Sequence, residues 1–265
     1  MALITAQQIT TYYNQFTDID VTFTKEVVAV IHLRPKDVFV RALGFQWPCA
    51  IYSSSLSRAK IIVNIENDFS LRVKEANNLA SLRFSFDQPD RPDPLAFFVS
   101  GKVAGYSEYT SDHPELKVVT LKYTQRPSDD LIMRLGALLD ANINAKRRKE
   151  ERIDINPETL RKLALVSKNA VLVIDNTAQK CIVRDLSFTG AMLILTGTAE
   201  TLLEKDAKLK LAVTGDGPPI ILGGKVKRFE EIPERKGIGS AGLEFNEKDI
   251  PMEYKLRLNE YLGSV

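Results

Sequence analysis

"KNAVLVIDNTAQKCIVRDLSFTGAMLIL", residues 168–195, decides the fold because the chain contains it twice. Set without a gap beneath "KDVFVRALGFQWPCAIYSSSLSRAKIIV", residues 36–63, it matches at a constant offset of 132: Lys36 falls on Lys168, Cys49 on Cys181, Ser55 on Ser187 and Ala59 on Ala191. Further on, "GKV" at 101 recurs at 224, and the apolar set Leu131, Leu135, Leu138, Leu139 recurs as Tyr254, Leu258, Tyr261, Leu262, both at an offset of 123. Two apolar strands align easily by chance. An ordered series of strands, then "GKV", then an amphipathic helix spaced i, i+4, i+7, i+8 does not, and it reads as one fold built twice.

Within each half the elements before that helix are short runs rich in Val, Ile, Leu and Phe, such as "KVVTLKY", "LKLAVT" and "AGLEF". Turn clusters such as "DQPDRPDP" and "GDGPP" separate them. Many short strands with no alternating helices imply antiparallel sheet closed into a small barrel rather than a parallel α/β fold. The boundary between the halves is expected near Asn144, giving domains 1–144 and 145–265.

A chain that is 44% hydrophobic and 26% charged has the composition of a folded globular protein, which excludes disordered and fibrous classes. Its 36 basic and 34 acidic residues leave a net charge of only +2, so any anion site must be local. The opening "MALITAQQITTYYNQF" has no basic n-region and breaks its apolar run with Gln, Thr and Tyr, so it does not read as a signal peptide. No apolar run approaches the roughly 18 residues a membrane-spanning helix needs. The expectation is a cytoplasmic protein with no membrane insertion, its two cysteines held as buried thiols rather than a disulfide.

Two motifs are decoys. "GIGSAG" (237–242) matches G-x-G-x-x-G but leads into "LEF", a strand, where a dinucleotide loop must open a helix. "LGGKV" resembles the end of a phosphate-binding loop, yet Val226 stands where a magnesium-binding hydroxyl belongs. His32 and His113 lack an evident nucleophile or metal partner, and the carboxylates are scattered, so the sequence offers no catalytic residues, no metal site and no enzyme.

Two other stretches carry chemistry. "AKRRKEERIDI" (145–155) puts Arg148 and Arg152 four residues apart, where like charges on one helical face repel by a few tenths of a kcal/mol. Arg147 has an opposite charge at helical spacing in Glu151, so a solvated, charge-laced linker is one reading of the segment. "RDLSFTG" (184–190) sets Asp185, Ser187 and Gly190 in D-x-S-x-x-G spacing at a turn between two strands. The first half reads Ser53 at the aspartate and Arg58 at the glycine. An ordinary Asx or Ser turn is the structural alternative for this motif alone.

R-x-x-x-R (Arg148, Arg152) followed 33 residues later by D-x-S-x-x-G resembles the PilZ domain, a six-stranded β-barrel receptor for the bacterial second messenger cyclic di-GMP. The resemblance covers about residues 145–265, while the first half resembles a PilZ-like barrel that has lost the ligand motifs. A degenerate barrel followed by a complete one is similar to the spirochaetal PilZ proteins. The resemblance implies two tandem six-stranded antiparallel barrels, each closed by a C-terminal helix. It also implies a non-enzymatic role in second-messenger signalling such as motility regulation, with cyclic di-GMP as ligand, no cofactor and an unknown effector protein as partner.

The residue types suit that ligand. Cyclic di-GMP is a dianion whose guanines present O6 and N7 to the arginine fork, and a guanidinium plane also stacks on a base. An anion between Arg148 and Arg152 would turn their repulsion into a clamp. A carboxylate at Asp185 would accept from guanine N1–H and N2–H₂, Ser187 would add a hydroxyl contact, and Gly190 would let the backbone turn closely under the base. Arg147 stands open between a phosphate contact and a salt bridge to Glu151, and Arg228 in "GKVKRF" is a candidate stacking cap. Two other readings are a PilZ scaffold without ligand and a nucleic-acid module using "KRRK" as a phosphate patch.

Overall fold

The computed structural model describes residues 6–66, 68–88, 91–215, 217–233, 235 and 237–263. The chain runs α1 (Ala6–Phe16), β1 (Val21–Thr22), α2 (Lys25–Val30), β2 (Phe39–Ala42), β3 (Phe45–Ser54), β4 (Arg58–Asn64), α3 (Phe69–Glu75), β5 (Leu79–Gln88), β6 (Arg91–Glu108), β7 (Leu116–Tyr123) and α4 (Asp129–Arg147). It continues as β8 (Ile153–Asp154), α5 (Pro157–Lys162), β9 (Asn169–Ile174), β10 (Thr177–Leu186), β11 (Gly190–Thr196), α6 (Ala199–Leu202), β12 (Asp206–Leu211), β13 (Ile220–Glu231), β14 (Ile238–Phe245) and α7 (Met252–Gly263). From β1 onward, each element of the first series has its counterpart in the second.

Alternation builds the strands. In β4, "RAKIIVN", Ala59, Ile61 and Val63 turn inward and the residues between them outward. Six strands then close on themselves in each series. In the first, β3–β2–β5–β6–β7–β4 closes through β3–β4, and in the second β10–β9–β12–β13–β14–β11 closes through β10–β11. The two-residue strands β1 and β8 add to β3 and β10. Closure leaves no open edge around the barrel, which removes the exposed ladder that an open sheet presents. β14 begins at Ile238, so "GIGSAG" is strand from its second residue onward, a correction to its reading as a flexible turn before the last strand.

The repeat extends to irregularities. The β3–β4 register slips between Ile51 and Ser53, and the β10–β11 register slips between Val183 and Asp185, the same positions at offset 132. The β6–β7 slip at Val103/Gly105 and the β13–β14 slip at Val226/Arg228 match at offset 123. Bulges re-aim the residues beside them. Here the shared bulge fixes the direction of Asp185.

Each barrel has its own core. Val40, Leu82, Phe84, Phe86, Leu121, Leu131 and Leu135 fill the first, with Phe84, Phe86 and Phe97 stacked at 5.8–6.1 Å. Leu172, Leu193, Leu209, Leu222, Leu243, Tyr254 and Leu258 fill the second. Each such side chain contributes about 1.5–3 kcal/mol of burial. Both cysteines are free; Cys181 is buried, which pushes its thiol up to about 11, and Cys49 is half-buried.

The chain divides into two compact units, Met1–Leu139 and Asp140–Val265, five residues before the sequence-based boundary. The reason lies in side chains: Asn144 donates to Asp140 Oδ1 and to Asn259 Oδ1 in α7, and Asn259 donates back to Asp140 Oδ2. The last turns of α4 therefore belong to the second unit. Residues 145–147, the start of the segment for which a solvated linker was one reading, are the end of α4.

Replacing Phe84 by Ala should destabilise the first barrel by about 3–5 kcal/mol, and Leu209→Ala the second by about 2–5 kcal/mol. Hydrogen exchange of each barrel's own strands would read the two losses separately. Unchanged protection in β5 of the Phe84 variant would contradict the core assigned here.

Candidate functional site

The junction of β10 and β11 is built around one hydroxyl. Ser187 Oγ accepts from the backbone N–H of Thr189 and Gly190, at 3.3 and 3.1 Å, and donates to Gly190 O at 3.2 Å. The equivalent Ser55 Oγ accepts from Ser57 N and Arg58 N at 3.1 and 3.2 Å. Both barrels thus use a serine to turn the chain between the strands that close them. Gly190 follows from the same closure: a Cβ there would come within 2.5 Å of Leu243 O on β14. Its glycine answers a close backbone approach and needs no positive φ.

Asp185, one of the few buried charged residues, emerges beside that turn with its backbone paired to Asp154 of β8. Arg152, just before β8, donates from its guanidinium to Asp185 Oδ1 at 2.9 Å. R-x-x-x-R and D-x-S-x-x-G therefore meet physically, and β8 is the element that joins them. Arg148 continues the end of α4, its N–H bonding Asn144 O at 2.8 Å. Its guanidinium donates to Leu262 O at 3.2 Å and lies 3.7 Å from Glu151. Arg148, not Arg147, is thus the partner of Glu151. Arg147 is exposed and makes no ion pair among the described residues.

A cleft of about 400 Å³ lies alongside, lined by Glu150, Arg152, Thr189, Arg228, Gly242 and Glu244 among others. Gly242 makes room for Arg228, whose Cγ and Nε would both stand 2.7 Å from a Cβ at that position. Thr189 Oγ1 donates to Lys149 O at 3.0 Å, and Lys149 pairs with Glu247. Arg152, Arg228 and Thr189 thus line the cleft, while Asp185 stands behind Arg152, and Arg148, Ser187 and Gly190 lie outside the lining.

The first barrel inverts this arrangement. Asp20 stands at the place of Arg152 and accepts from Arg58, which stands at the place of Gly190, at 3.2 Å. Lys60, at the place of Met192, lies 3.9 Å from the same carboxylate. An ion pair is present here too, but with an acid at the arginine's place and its cation, Arg58, at the place of Gly190, while Ser53 stands at the place of Asp185.

Sequence reasoning missed Tyr254. It lies in the core, and its hydroxyl donates to Ser187 O at 2.7 Å, tying α7 to the turn. Burial, then the charge of Asp185, raises its phenol well above the ordinary range, so it remains a donor. The signal was visible: the aligned residue of the first half is Leu131, which has no hydroxyl.

Closed tandem barrels, the second with a paired arginine and carboxylate at its rim, define a class of ligand-binding β-barrel protein. Within that class the chain belongs to the PilZ family: the PilZN3 domain model matches residues 7–142 and the PilZ domain model residues 146–263. A Treponema denticola protein named cyclic di-GMP binding protein is 43% identical over 267 residues, covering all of this chain and 84% of that one. Among solved structures, the Borreliella burgdorferi PlzA protein in complex with c-di-GMP aligns over 96% of this chain and 98% of its own, at 23% identity and a TM-score of 0.44. YcgR from Escherichia coli, also solved with c-di-GMP, aligns over 96% of this chain and 94% of its own at 13% identity and a TM-score of 0.29.

Tyr254→Phe should lower stability by about 1–3 kcal/mol, the penalty for removing a donor from a buried carbonyl. Gly190→Ala should cost about 1–3 kcal/mol through forced displacement of β14. Chemical denaturation measures both; wild-type stability of the Gly190 variant would show that the β11–β14 approach is not tight.

Proposed function

We propose that the protein is a non-enzymatic receptor that binds cyclic di-GMP on the rim of its second barrel. The observation that carries this reading is the Arg152–Asp185 pair at 2.9 Å, which sets a fork donor and a carboxylate acceptor side by side, with the arginine lining an open cleft. Guanine offers the complementary groups on one molecule: O6 and N7 accept from arginine, and N1–H and N2–H₂ donate to a carboxylate. A ligand guanine can therefore replace the internal pair partner for partner, so neither charge is left buried and alone.

The other residues fall into roles by geometry. Arg148 would exchange Leu262 O and Glu151 for the dinucleotide. Arg147, exposed and without an ion pair among the described residues, suits a phosphate. Arg228, lying over Gly242 at the cleft, suits stacking on a base. Ser187 and Gly190 would act by holding the turn that presents Asp185. "KRRK" makes a weaker nucleic-acid patch than its sequence promises, since Arg148 and Lys149 already have acidic partners. No helix among the described residues is long and apolar enough to cross a membrane, which accords with a cytoplasmic receptor.

The signal would leave through the clamp. Arg148 bonds to the last turn of α7 and Tyr254 ties the first turn of α7 to the motif loop, so an incoming dianion would pull on both ends of that helix and on the end of α4. A changed relation between the two barrels is the expected output.

Calorimetric titration with cyclic di-GMP tests the site. Arg148→Ala and Arg152→Ala should each weaken binding by about 1–3 kcal/mol, the worth of a bidentate arginine–guanine contact. Near-normal affinity in both variants would overturn the assignment. Residues 1–139 alone should not bind, because Asp20 and Arg58 fill the equivalent rim with their own ion pair. Hydrogen exchange at 141–155 should slow on adding ligand; slowing confined to 185–190, with unchanged small-angle scattering, would refute the output route.

A further inference from the structure

The two barrels supply a control for each other, and at one face they differ in a way the fold does not require. The turn between β9 and β10 is Asp175–Asn176, both at positive φ, 46° and 63°. Asp and Asn are the side chains that tolerate that backbone. Its counterpart between β2 and β3 is Leu43–Gly44, with Leu43 at φ 49° and 55% exposed. A leucine in the left-handed region is strained by its Cβ, and here it gains no burial in return.

The next strands repeat the contrast. Leu79 of β5 aligns with Asp206 of β12 and is 50% exposed. Lys225, opposite Asp206, lies 3.9 Å from its carboxylate, and Lys205 pairs with Asp175 at 2.8 Å. In the first barrel Lys102 stands opposite Leu79 instead. The guanidinium of Arg41 lies 4.4 Å from the ring centre of Phe98, itself 41% exposed. Neither Arg41 nor Lys102 has a carboxylate partner among the described residues. An open groove of about 720 Å³ runs here, lined by Arg41, Leu43, Asn77, Leu79 and Ser81 among others, and by Glu75, whose carboxylate is held by Arg72 at 3.0 Å.

We propose that this groove of the first barrel docks a partner protein through a segment that presents an aliphatic side chain flanked by carboxylates. Leu43 and Leu79 would take the apolar anchor, Arg41 in the groove would take one acid, and Lys102, outside the lining but opposite Leu79 on β6, would take the other at its margin. Charge decides against nucleic acid as the occupant: Arg41 and Lys102 stand here beside Glu75, whereas nucleic-acid binding rests on a run of cations facing successive phosphates. The Phe98 ring that base stacking would need is already covered by Arg41. Exposed leucines in place of paired aspartates are what a protein surface, and not a phosphate backbone, would select.

The test uses the full chain and two synthetic peptides of about twelve residues, long enough to span such a groove. They share their leucines, which are flanked by Glu in one and by Lys in the other. The Glu peptide should bind about tenfold or more tighter, and its amide shifts should map to 41–44, 77–81 and 98–102. Leu43→Asp and Leu79→Asp, which restore the second barrel's residue type at each place, should abolish binding while leaving cyclic di-GMP titration of the other barrel intact. Arg41→Glu should reverse the preference toward the Lys peptide. Equal binding of both peptides, shifts that map elsewhere, displacement of the peptide by single-stranded RNA, or self-association that Leu43→Asp removes would each overturn the proposal.

Discussion

The structure depends on a serine hydroxyl satisfying backbone N–H groups at the corner where each barrel closes. Without Ser187 Oγ, the buried N–H of Gly190 would lose its acceptor and the half-buried N–H of Thr189 would lose its partner at the turn from β10 to β11. Closure in turn brings Gly190 against Leu243 O, fills the interior with apolar residues from both halves of the sheet, and leaves Asp185 at the rim. Ser55 performs the same service in the first barrel, where no ligand motif surrounds it. The serine of the motif is thus first a requirement of the fold.

On this shared frame the two copies have diverged by exchange of charges more than by change of backbone. One rim pairs Arg152 with Asp185 and keeps a glycine over the turn, while the other pairs Asp20 with Arg58 and so fills that space with its own cation. A pair that offers its edge to a guanine and a pair that covers the turn differ by few substitutions. The same economy appears on the outer face, where Asp175 and Asp206 of one barrel are Leu43 and Leu79 of the other. Bulges and register have stayed while side chains were reassigned, because a register slip would invert a whole strand and a surface substitution does not.

The last helix links these parts. Tyr254 holds the motif turn from the first turn of α7, and the carbonyl of Leu262 receives Arg148 in its final turn. Asn259 between them bonds Asp140 and Asn144. A helix that reads as barrel packing by its apolar spacing is also the scaffold on which both halves of the candidate site rest.

The sequence by itself determined the duplication, the mainly-β class and the presence of two motifs, because strand alternation, helical spacing and a constant offset are written in residue order. The D-x-S-x-x-G glycine and serine were legible as a turn, and the loss of acid and glycine in the first half was legible from the alignment. Only the tertiary structure decided what those residues touch. That Arg148 rests on Leu262 and that Asp20 is met by Arg58 depend on contacts between residues distant along the chain, and Glu151 meets Arg148 rather than Arg147 across the end of α4. Local propensity carries no information about such partners, since they are chosen by closure of the sheet and the packing of α7. The strained leucine at position 43 shows the same limit: only its backbone angle, set by the hairpin between β2 and β3, reveals that the apolar side chain is held out in water.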